Sequence, residues 1–319
     1  MRRLLSGALL IGLAVSVCAQ SARAIQFITV GQAVRLEVID WGGPGRTLVF
    51  LSGMGNTAHV YDTFAPQFTD RFHVVGITRR GFGASSRPTR DYSVQQLADD
   101  VLGVINQLHL DRPILVGHSI AGEELSFIGA RYRNRIGGLI YLDAAHDRAD
   151  PKFAAILKSF PGYRPQPSQA EQASRATYQA FFQRTHRWHY PDTELDQYEK
   201  FGDDAPGVAA SIMAGVLHPQ YEKITVPALA FYSMPLSVGD LFPTYQDADT
   251  SVRPTLDSFW PKYASAAEEQ RRRFVREVRV SKAIDVKGAT HYLFLDSHTK
   301  EVASAMRSFL EGFSTPPRR

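Results

Sequence analysis

The chain has 319 residues, of which 44% are hydrophobic and 21% are charged, and its formal net charge is +4. These values predict one globular unit with a large core, and nothing in them suggests nucleic acid or an anionic membrane as a partner. The first 24 residues combine a basic start, an apolar run over 4–17 and a small-x-small end at Ala22, Arg23 and Ala24. This pattern predicts a secretory signal peptide cleaved after Ala24, and loss of its three arginines would leave a net charge of about +1.

The only cysteine of the sequence, Cys18, lies inside this predicted signal peptide. It follows Val17, whereas lipoprotein signals place a small residue before the cysteine. The exported chain would therefore have no disulfide, no thiol nucleophile and no thiolate metal site. We expect a periplasmic or secreted protein with no stable membrane anchor.

Beyond residue 24, strand-like apolar runs alternate with amphipathic stretches typical of helices. Strands are predicted at 26–30, 34–39, 47–51, 73–78, 114–116, 138–142, 226–232 and 283–286. Helices are predicted at 94–108, 122–132, 264–278 and 300–313. The first two strands should form a hairpin, and strands separated by helices form parallel sheets. The predicted fold class is therefore α/β, with a mostly parallel, twisted sheet of about eight strands flanked by helices.

Residues 147–223 contain no convincing strand, but they contain helical stretches and many aromatic side chains. We predict a helical cap inserted after the sixth strand, over the sheet edge where open parallel sheets bind ligands. The predicted division is a signal peptide at 1–24, a core formed by 25–146 and 224–319, and the cap at 147–223. Aromatic residues of the cap favour a substrate with an apolar or aromatic acyl or alcohol group.

The candidate nucleophile is Ser119, which directly follows the predicted strand at 114–116 and the pair Gly117 and His118. Small residues two before and two after a serine allow the sharp strand-to-helix turn that exposes its hydroxyl, and Ala121 is the second of them. The N–H of Ile120 then lies at a helix start and points at the oxygen that becomes negative in acyl transfer. A buried serine at a strand end of another parallel-sheet fold is the alternative.

Three further loops follow predicted strands. Residues 51–55 read Leu-Ser-Gly-Met-Gly, residues 78–85 read Thr-Arg-Arg-Gly-Phe-Gly-Ala-Ser, and residues 288–292 read Gly-Ala-Thr-His-Tyr. Together with the turn at Ser119, these motifs resemble the α/β-hydrolase fold family over nearly the whole chain beyond the signal peptide. The sequence departs from the family pattern where Ser, Thr and Ala replace the usual His, Asp and Gly at Ser52, Thr78 and Ala121.

The resemblance implies roles for two further residues. Met54 would supply a second backbone N–H to the oxyanion hole, beside that of Ile120. Of the ten histidines, His291 follows the last strand, where the family keeps its catalytic base. His146, His186, His189 and His218 lie in or beside the predicted cap and could touch substrate instead.

The acid that would orient His291 is open between Asp143 and Asp240. Asp143 ends the sixth strand, where the haloalkane-dehalogenase-like subgroup has its acid. Asp240 follows the seventh strand, which is the commoner place, but it lies further along the loop than usual. We favour Asp143, and Asp147 is the third choice.

These residues predict a secreted serine hydrolase that cleaves a small ester or related acyl substrate through an acyl-enzyme intermediate. Its partner would be a small-molecule substrate, with no cofactor, and the sequence shows no pair of histidines at metal-binding spacing beside a carboxylate. The motifs are shared by serine-dependent peptidases, lactonases, C–C hydrolases and haloperoxidases of the same fold. A catalytically silent binding protein is the alternative from another class. The motifs leave the oligomeric state open.

Overall fold

The described part of the chain folds around one sheet of eight strands. The computed structural model describes residues 23–31, 33–161, 165–202 and 207–313. The strands are β1 (Ala24–Val30), β2 (Val34–Gly42), β3 (Thr47–Leu51), β4 (His73–Ile77), β5 (Ile114–His118), β6 (Gly138–Leu142), β7 (Ala228–Met234) and β8 (Ser281–Lys287). Their order across the sheet is β1-β2-β4-β3-β5-β6-β7-β8. The pairs β1–β2 and β2–β4 are antiparallel and the others are parallel, so the predicted α/β sheet is confirmed.

Helices follow most strands. They are α1 (Val94–Gln107), α2 (Ala121–Arg131), α3 (Pro151–Lys158), α4 (Arg175–His186), α5 (Asp192–Phe201), α6 (Val208–Ala214), α7 (Val238–Leu241), α8 (Arg253–Glu277) and α9 (Thr299–Leu310). Ser93 begins α1, and its hydroxyl accepts a hydrogen bond from the N–H of Gln96. This contact satisfies one of the N–H groups that every helix start leaves free.

The central strands are covered on both faces. Every residue of β3, β5 and β6 is buried. Successive side chains of a strand point to opposite faces. Val49 and Leu51 of β3 pack in the apolar cluster that contains α1 and α2, whereas Leu48 and Phe50 pack in the cluster that contains α9. Burial on both faces explains why these strands are continuous apolar runs in the sequence.

The insert between β6 and β7 contains α3, α4, α5 and α6, and its described residues form no strand. Its helix α5 reaches the core through Glu194, which accepts hydrogen bonds from Asn56 and Thr57 in the loop after β3. The insert therefore contacts a loop at the carboxyl end of the sheet. The prediction that residues 147–223 form a cap over a substrate remains a prediction.

A second helical segment, between β7 and β8, is absent from the predicted elements. It comprises α7 and the first part of α8, where Phe242, Leu256 and Phe259 form an apolar cluster with Ile156 of α3. The rings of Phe160 and Phe259 lie 5.0 Å apart, centroid to centroid. This segment therefore packs on the insert.

The predicted start of α8 at residue 264 is wrong by 11 residues, because the helix begins at Arg253. Pro254 occupies the first turn, where proline is favourable, but Pro261 lies inside the helix, where it removes a hydrogen bond. Leu256 and Phe259, in the turns just before Pro261, are buried. Their apolar contacts offset the cost of the interior proline.

The predicted signal peptide at 1–24 lies outside the described residues except for Arg23 and Ala24. Ala24 is the first residue of β1 and pairs with Asp40 of β2. Across the described ranges, no helix is both long and apolar enough to cross a membrane.

Candidate active site

The candidate nucleophile lies in a strained turn between β5 and α2. Ser119 follows the last residue of β5 and has a φ of +55°, a left-handed conformation that is uncommon for residues other than glycine. Its N–H donates to the carbonyl oxygen of Leu142 in β6 at 3.2 Å, and its own carbonyl accepts from Gly122 at 3.1 Å. These bonds fix the turn, and the Ser119 residue is partly exposed. The predicted strand-to-helix turn is thus present at this serine.

The geometry explains why alanine is tolerated at Ala121 and why a side chain at Gly122 would be costly. A Cβ atom at Gly122 would lie 1.9 Å from the backbone oxygen of Ala144, a distance that no side chain can adopt. A Cβ atom at Gly117 would lie 2.8 Å from Leu125 and 3.1 Å from the Cβ of Ala121. The position that favours glycine is therefore Gly122, one residue further along α2, where the helix contacts the segment after β6.

The loop after β3 lies against this turn. A Cβ atom at Gly53 would lie 2.7 Å from Nδ1 of His118 and 3.3 Å from Cβ of Ser119. The Asn56 N–H donates to the Gly53 carbonyl at 3.3 Å, and Gly55 between them has a φ of +79°. This tight turn presents Met54 beside the candidate nucleophile.

Two backbone N–H groups are available at this point. In the described part of the chain, neither the Met54 N–H nor the Ile120 N–H has a hydrogen-bond partner within the protein. Their side chains pack in one apolar cluster with Phe82 and with Val208 and Ile212 of α6. Free N–H groups beside a nucleophile can stabilise a developing oxyanion.

Asp143 and His291 are brought together at the carboxyl end of the sheet. Asp143 follows β6 and has a φ of +47°. Its Oδ2 lies 2.6 Å from Nδ1 of His291, and its Oδ1 accepts the N–H of Ser233 at 3.0 Å. A carboxylate only accepts, so His291 carries its proton on Nδ1 and leaves the Nε2 lone pair free. The His291 side chain is 41% exposed, so Nε2 can reach a reacting group.

The carboxyl group of Asp143 is held ionised. Burial by itself would raise the pKa of Asp143, but hydrogen bonds from His146 and His291 lower it well below the usual range. Nε2 of His146 lies 3.5 Å from Oδ1 of Asp143. The carboxylate is therefore available to stabilise a protonated His291.

The two alternative acids serve other contacts. Asp240 accepts the N–H groups of Leu236 and Ser237 at 2.9 and 3.1 Å and forms an ion pair with Arg187 at 3.0 Å. Asp147 is buried and pairs with His218 at 2.8 Å and with Arg273. Of the three candidate acids, Asp143 is the one that the described structure pairs with a histidine of the candidate site.

Two histidines to which the sequence analysis gave no catalytic role contact this pair. His146 reaches the free side of Asp143, as described above. His118 donates its Nε2–H to the backbone oxygen of His291 at 3.0 Å, and the two rings lie 4.5 Å apart, centroid to centroid. Burial lowers the pKa of His118 well below its usual range, so this ring is neutral. The available signal was their position, one residue before Ser119 and three residues after Asp143.

The remaining histidines of the insert lie elsewhere. His186 packs among aromatic rings of the insert, 4.8 Å from Trp188 between centroids. His218 pairs with Asp147. In residues 23–31, 33–161, 165–202 and 207–313, no group of three or more His, Cys, Asp or Glu side chains is arranged to hold a metal ion.

Curated relatives match over part of their length. A stretch of 101 residues is 29% identical to 2-(acetamidomethylene)succinate hydrolase of Mesorhizobium japonicum, covering 32% of this chain and 36% of that protein. A stretch of 89 residues is 34% identical to epoxide hydrolase A of Mycobacterium tuberculosis, covering 27% of this chain and 28% of that protein. The matches thus span about a third of these relatives.

Solved structures share the fold over nearly the whole chain. The crystal structure of E-2-(acetamidomethylene)succinate hydrolase aligns with a TM-score of 0.65 and 18% identity, covering 91% of this chain and 99% of that one. A bromoperoxidase from Bacillus anthracis aligns with a TM-score of 0.61 and 19% identity, covering 90% and 100%. A model of the alpha/beta hydrolase family matches residues 48–305, a span that includes the turn at Ser119 and the loop of His291. With the sheet order and these two loops in place, the chain belongs to the alpha/beta hydrolase family.

Proposed function

We propose that this member of the alpha/beta hydrolase family is a secreted serine hydrolase that cleaves a small ester or related acyl substrate. The observation that carries the proposal is the 2.6 Å pairing of Asp143 with Nδ1 of His291, at the same sheet edge as the strained turn of Ser119. A serine hydroxyl becomes a useful nucleophile when a neutral imidazole can accept its proton.

In the proposed reaction, Oγ of Ser119 attacks the acyl carbonyl carbon and its proton passes to Nε2 of His291. Asp143 stabilises the imidazolium, and the N–H groups of Met54 and Ile120 bind the oxyanion. Collapse of the tetrahedral intermediate releases the alcohol, which takes the proton from His291. Water then cleaves the acyl-enzyme by the same steps, with His291 as the base.

An apolar acyl group is favoured by the surroundings of the two oxyanion donors. The side chains of Met54 and Ile120 lie in an apolar cluster with Val208 and Ile212 of the insert. A substrate whose carbonyl oxygen is bound by these two N–H groups would therefore place its acyl chain beside aliphatic side chains. Such side chains are the usual lining of small-molecule pockets.

Export is a separate part of the proposal and rests on residues 1–24. The basic start, the apolar run and the small-x-small end together favour cleavage after Ala24. Amino-terminal sequencing of the protein recovered from the periplasm or the medium tests it, and we expect Ile25 as the first residue. A mature chain that retains Met1 would contradict export through this segment.

The chemistry is tested with Ser119→Ala, a fluorophosphonate probe and p-nitrophenyl esters of increasing acyl length. The parent should react with the probe at Ser119, and the variant should lose labelling and at least roughly 10³-fold in turnover. Ser258→Ala, which changes an exposed serine of α8, is the matched control and should behave as the parent. Activity of Ser119→Ala within tenfold of the parent would contradict the serine mechanism. A folded parent that the probe does not label would indicate a binding protein instead.

A further inference from the structure

Glu194, on α5 of the insert, places a fully buried carboxylate against the loop that carries Met54. Its Oε1 accepts the N–H of Thr57 and the side-chain amide of Asn56, each at 3.0 Å. Its Oε2 accepts the hydroxyl of Thr57. The exposed fraction of Glu194 is 0%, so this contact is buried between α5 and the loop after β3.

This carboxylate has hydrogen-bond donors but no directly paired cation. Among the described residues, no ion pair joins Glu194 to a Lys, Arg or His side chain, and His59, whose charge acts on Glu194, pairs with Glu37 and Asp62 instead. Burial raises the pKa of Glu194 to about 7, although the hydrogen bonds from Thr57 and Asn56 lower it. A buried carboxyl group whose hydrogen-bond donors are neutral is costly to the fold, although the first turn of α5, where Glu194 lies, favours a negative charge.

Asn56 connects this carboxylate to the oxyanion turn. Its backbone N–H closes the turn on Gly53 at 3.3 Å, and its carbonyl accepts the hydroxyl of Ser52 at 3.0 Å. Met54 is the second residue of this four-residue turn. A shift of Asn56 would therefore change the direction of the Met54 N–H.

Asn56 also connects the turn to the loop of the candidate base. Its Oδ1 accepts the hydroxyl of Tyr292 at 2.8 Å, and its amide donates to the hydroxyl of Tyr198 on α5 at 2.8 Å. Tyr292 directly follows His291. One asparagine side chain thus joins the insert, the oxyanion turn and the histidine loop.

We propose that Glu194 is a positioning residue for the oxyanion hole. It holds Asn56 and Thr57 so that the Met54 N–H keeps its direction toward the oxyanion, and it does not touch the substrate. This inference rests on the proposed acyl-enzyme function of Ser119. It assigns the insert a part in preparing the catalytic site.

The test compares Glu194→Ala with Glu194→Gln, using p-nitrophenyl butyrate as substrate. Loss of one oxyanion donor lowers kcat by about 10²–10³-fold. Because Met54 would be misdirected rather than removed, we expect Glu194→Ala to lower kcat by about 10–100-fold, with KM within threefold of the parent. Glu194→Gln keeps an oxygen for the N–H of Thr57 and the amide of Asn56, so it should restore kcat to within about threefold of the parent. Glu199→Ala, an exposed change on the same helix, is the matched control.

Inhibitor binding separates positioning from loss of folded protein. Propyl trifluoromethyl ketone forms a tetrahedral adduct with the nucleophilic serine, and this adduct carries an oxyanion. Butyrate resembles the product and carries no such group. In Glu194→Ala the Ki of the ketone should rise in proportion to the loss of kcat/KM, and the Ki of butyrate should stay unchanged. Neither constant depends on the fraction of folded enzyme, so an unchanged ketone Ki beside a lower kcat would overturn the inference. So would a kcat for Glu194→Ala within threefold of the parent.

If Glu194→Ala does not fold, Thr57→Val provides the same test. It keeps the side-chain shape and removes the hydroxyl that donates to Oε2 of Glu194 and also accepts the N–H of His59. A ketone Ki that rises with the loss of kcat/KM supports the inference, and an unchanged Ki overturns it.

Fluorophosphonate labelling of the parent distinguishes the two proposals: a parent that is not labelled removes the serine mechanism itself. A labelled parent with an insensitive Glu194→Ala removes only the role of Glu194.

Discussion

Replacing Asp143 by asparagine tests the candidate site at one atom. Oδ1 of Asp143 is held by the N–H of Ser233, and Oδ2 faces Nδ1 of His291. An asparagine in this place keeps its oxygen on the Ser233 N–H, because a donor cannot face a donor. Its NH2 group therefore faces His291, whose Nδ1 must become an acceptor. The imidazole proton then moves to Nε2, and the base that should receive the serine proton is blocked.

The expected loss follows from this change of tautomer. Such a change lowers kcat by about 10⁴-fold, which corresponds to about 5–6 kcal/mol of transition-state stabilisation. Asp240→Asn is the matched control, because Asp240 holds the start of α7 and a partly exposed ion pair with Arg187. Such pairs contribute about 0–1 kcal/mol to stability, so we expect kcat of this variant within twofold of the parent.

The assay is hydrolysis of p-nitrophenyl esters, with the rate of fluorophosphonate labelling as a measure that does not depend on the substrate. Circular dichroism and the urea midpoint check that each variant is folded. A folded Asp143→Asn with kcat within tenfold of the parent would refute the reasoning. A large loss confined to Asp240→Asn would show that the acid reaches His291 from the loop after β7.

Gly122→Ala should destabilise the protein by about 1–3 kcal/mol, because its Cβ would overlap the backbone oxygen of Ala144, and urea unfolding measures the change. Unchanged stability would show that this oxygen moves freely. His59 has a pKa raised to about 9, since the carboxylates of Asp62 and Glu37, through their charges and the hydrogen bonds they accept, outweigh its burial. This raised pKa adds stability of about 3 kcal/mol that is complete below pH 6.5 and is lost as the pH rises through about 9. In His59→Gln, the difference between the free energies of unfolding at pH 6 and pH 9 should therefore be smaller than in the parent. An equal difference in the two proteins would contradict the assignment.

The sheet could be predicted because each of its central strands is an apolar run between helical stretches. The start of α8 could not be predicted in the same way. Pro261 is a local signal for a helix end, but the burial of Leu256 and Phe259 against α3 depends on residues about 100 positions away. Tertiary packing outweighed the local preference there.

Within the site, the positions of Ser119, Asp143 and His291 could be predicted because each follows a strand at one edge of a parallel sheet. The pairing of Asp143 with His291 depends on backbone geometry after β6, which no sequence pattern states. Glu194 lies 138 residues from Asn56 along the chain. A buried contact across that separation has no signal in one sequence.

The candidate base, His291, lies in the loop that follows β8, an edge strand of the sheet. β8 pairs with β7 on one side, and most of its residues are partly exposed, whereas β5 lies between β3 and β6 with every residue buried. Edge strands open more often than central ones, at a lower free energy than global unfolding. Opening of β8 would carry His291 away from Ser119 while the centre of the sheet stays folded. Amide protons of 281–287 should then exchange with solvent sooner than those of 114–118. On heating, activity should be lost at a lower temperature than that at which the central strands unfold.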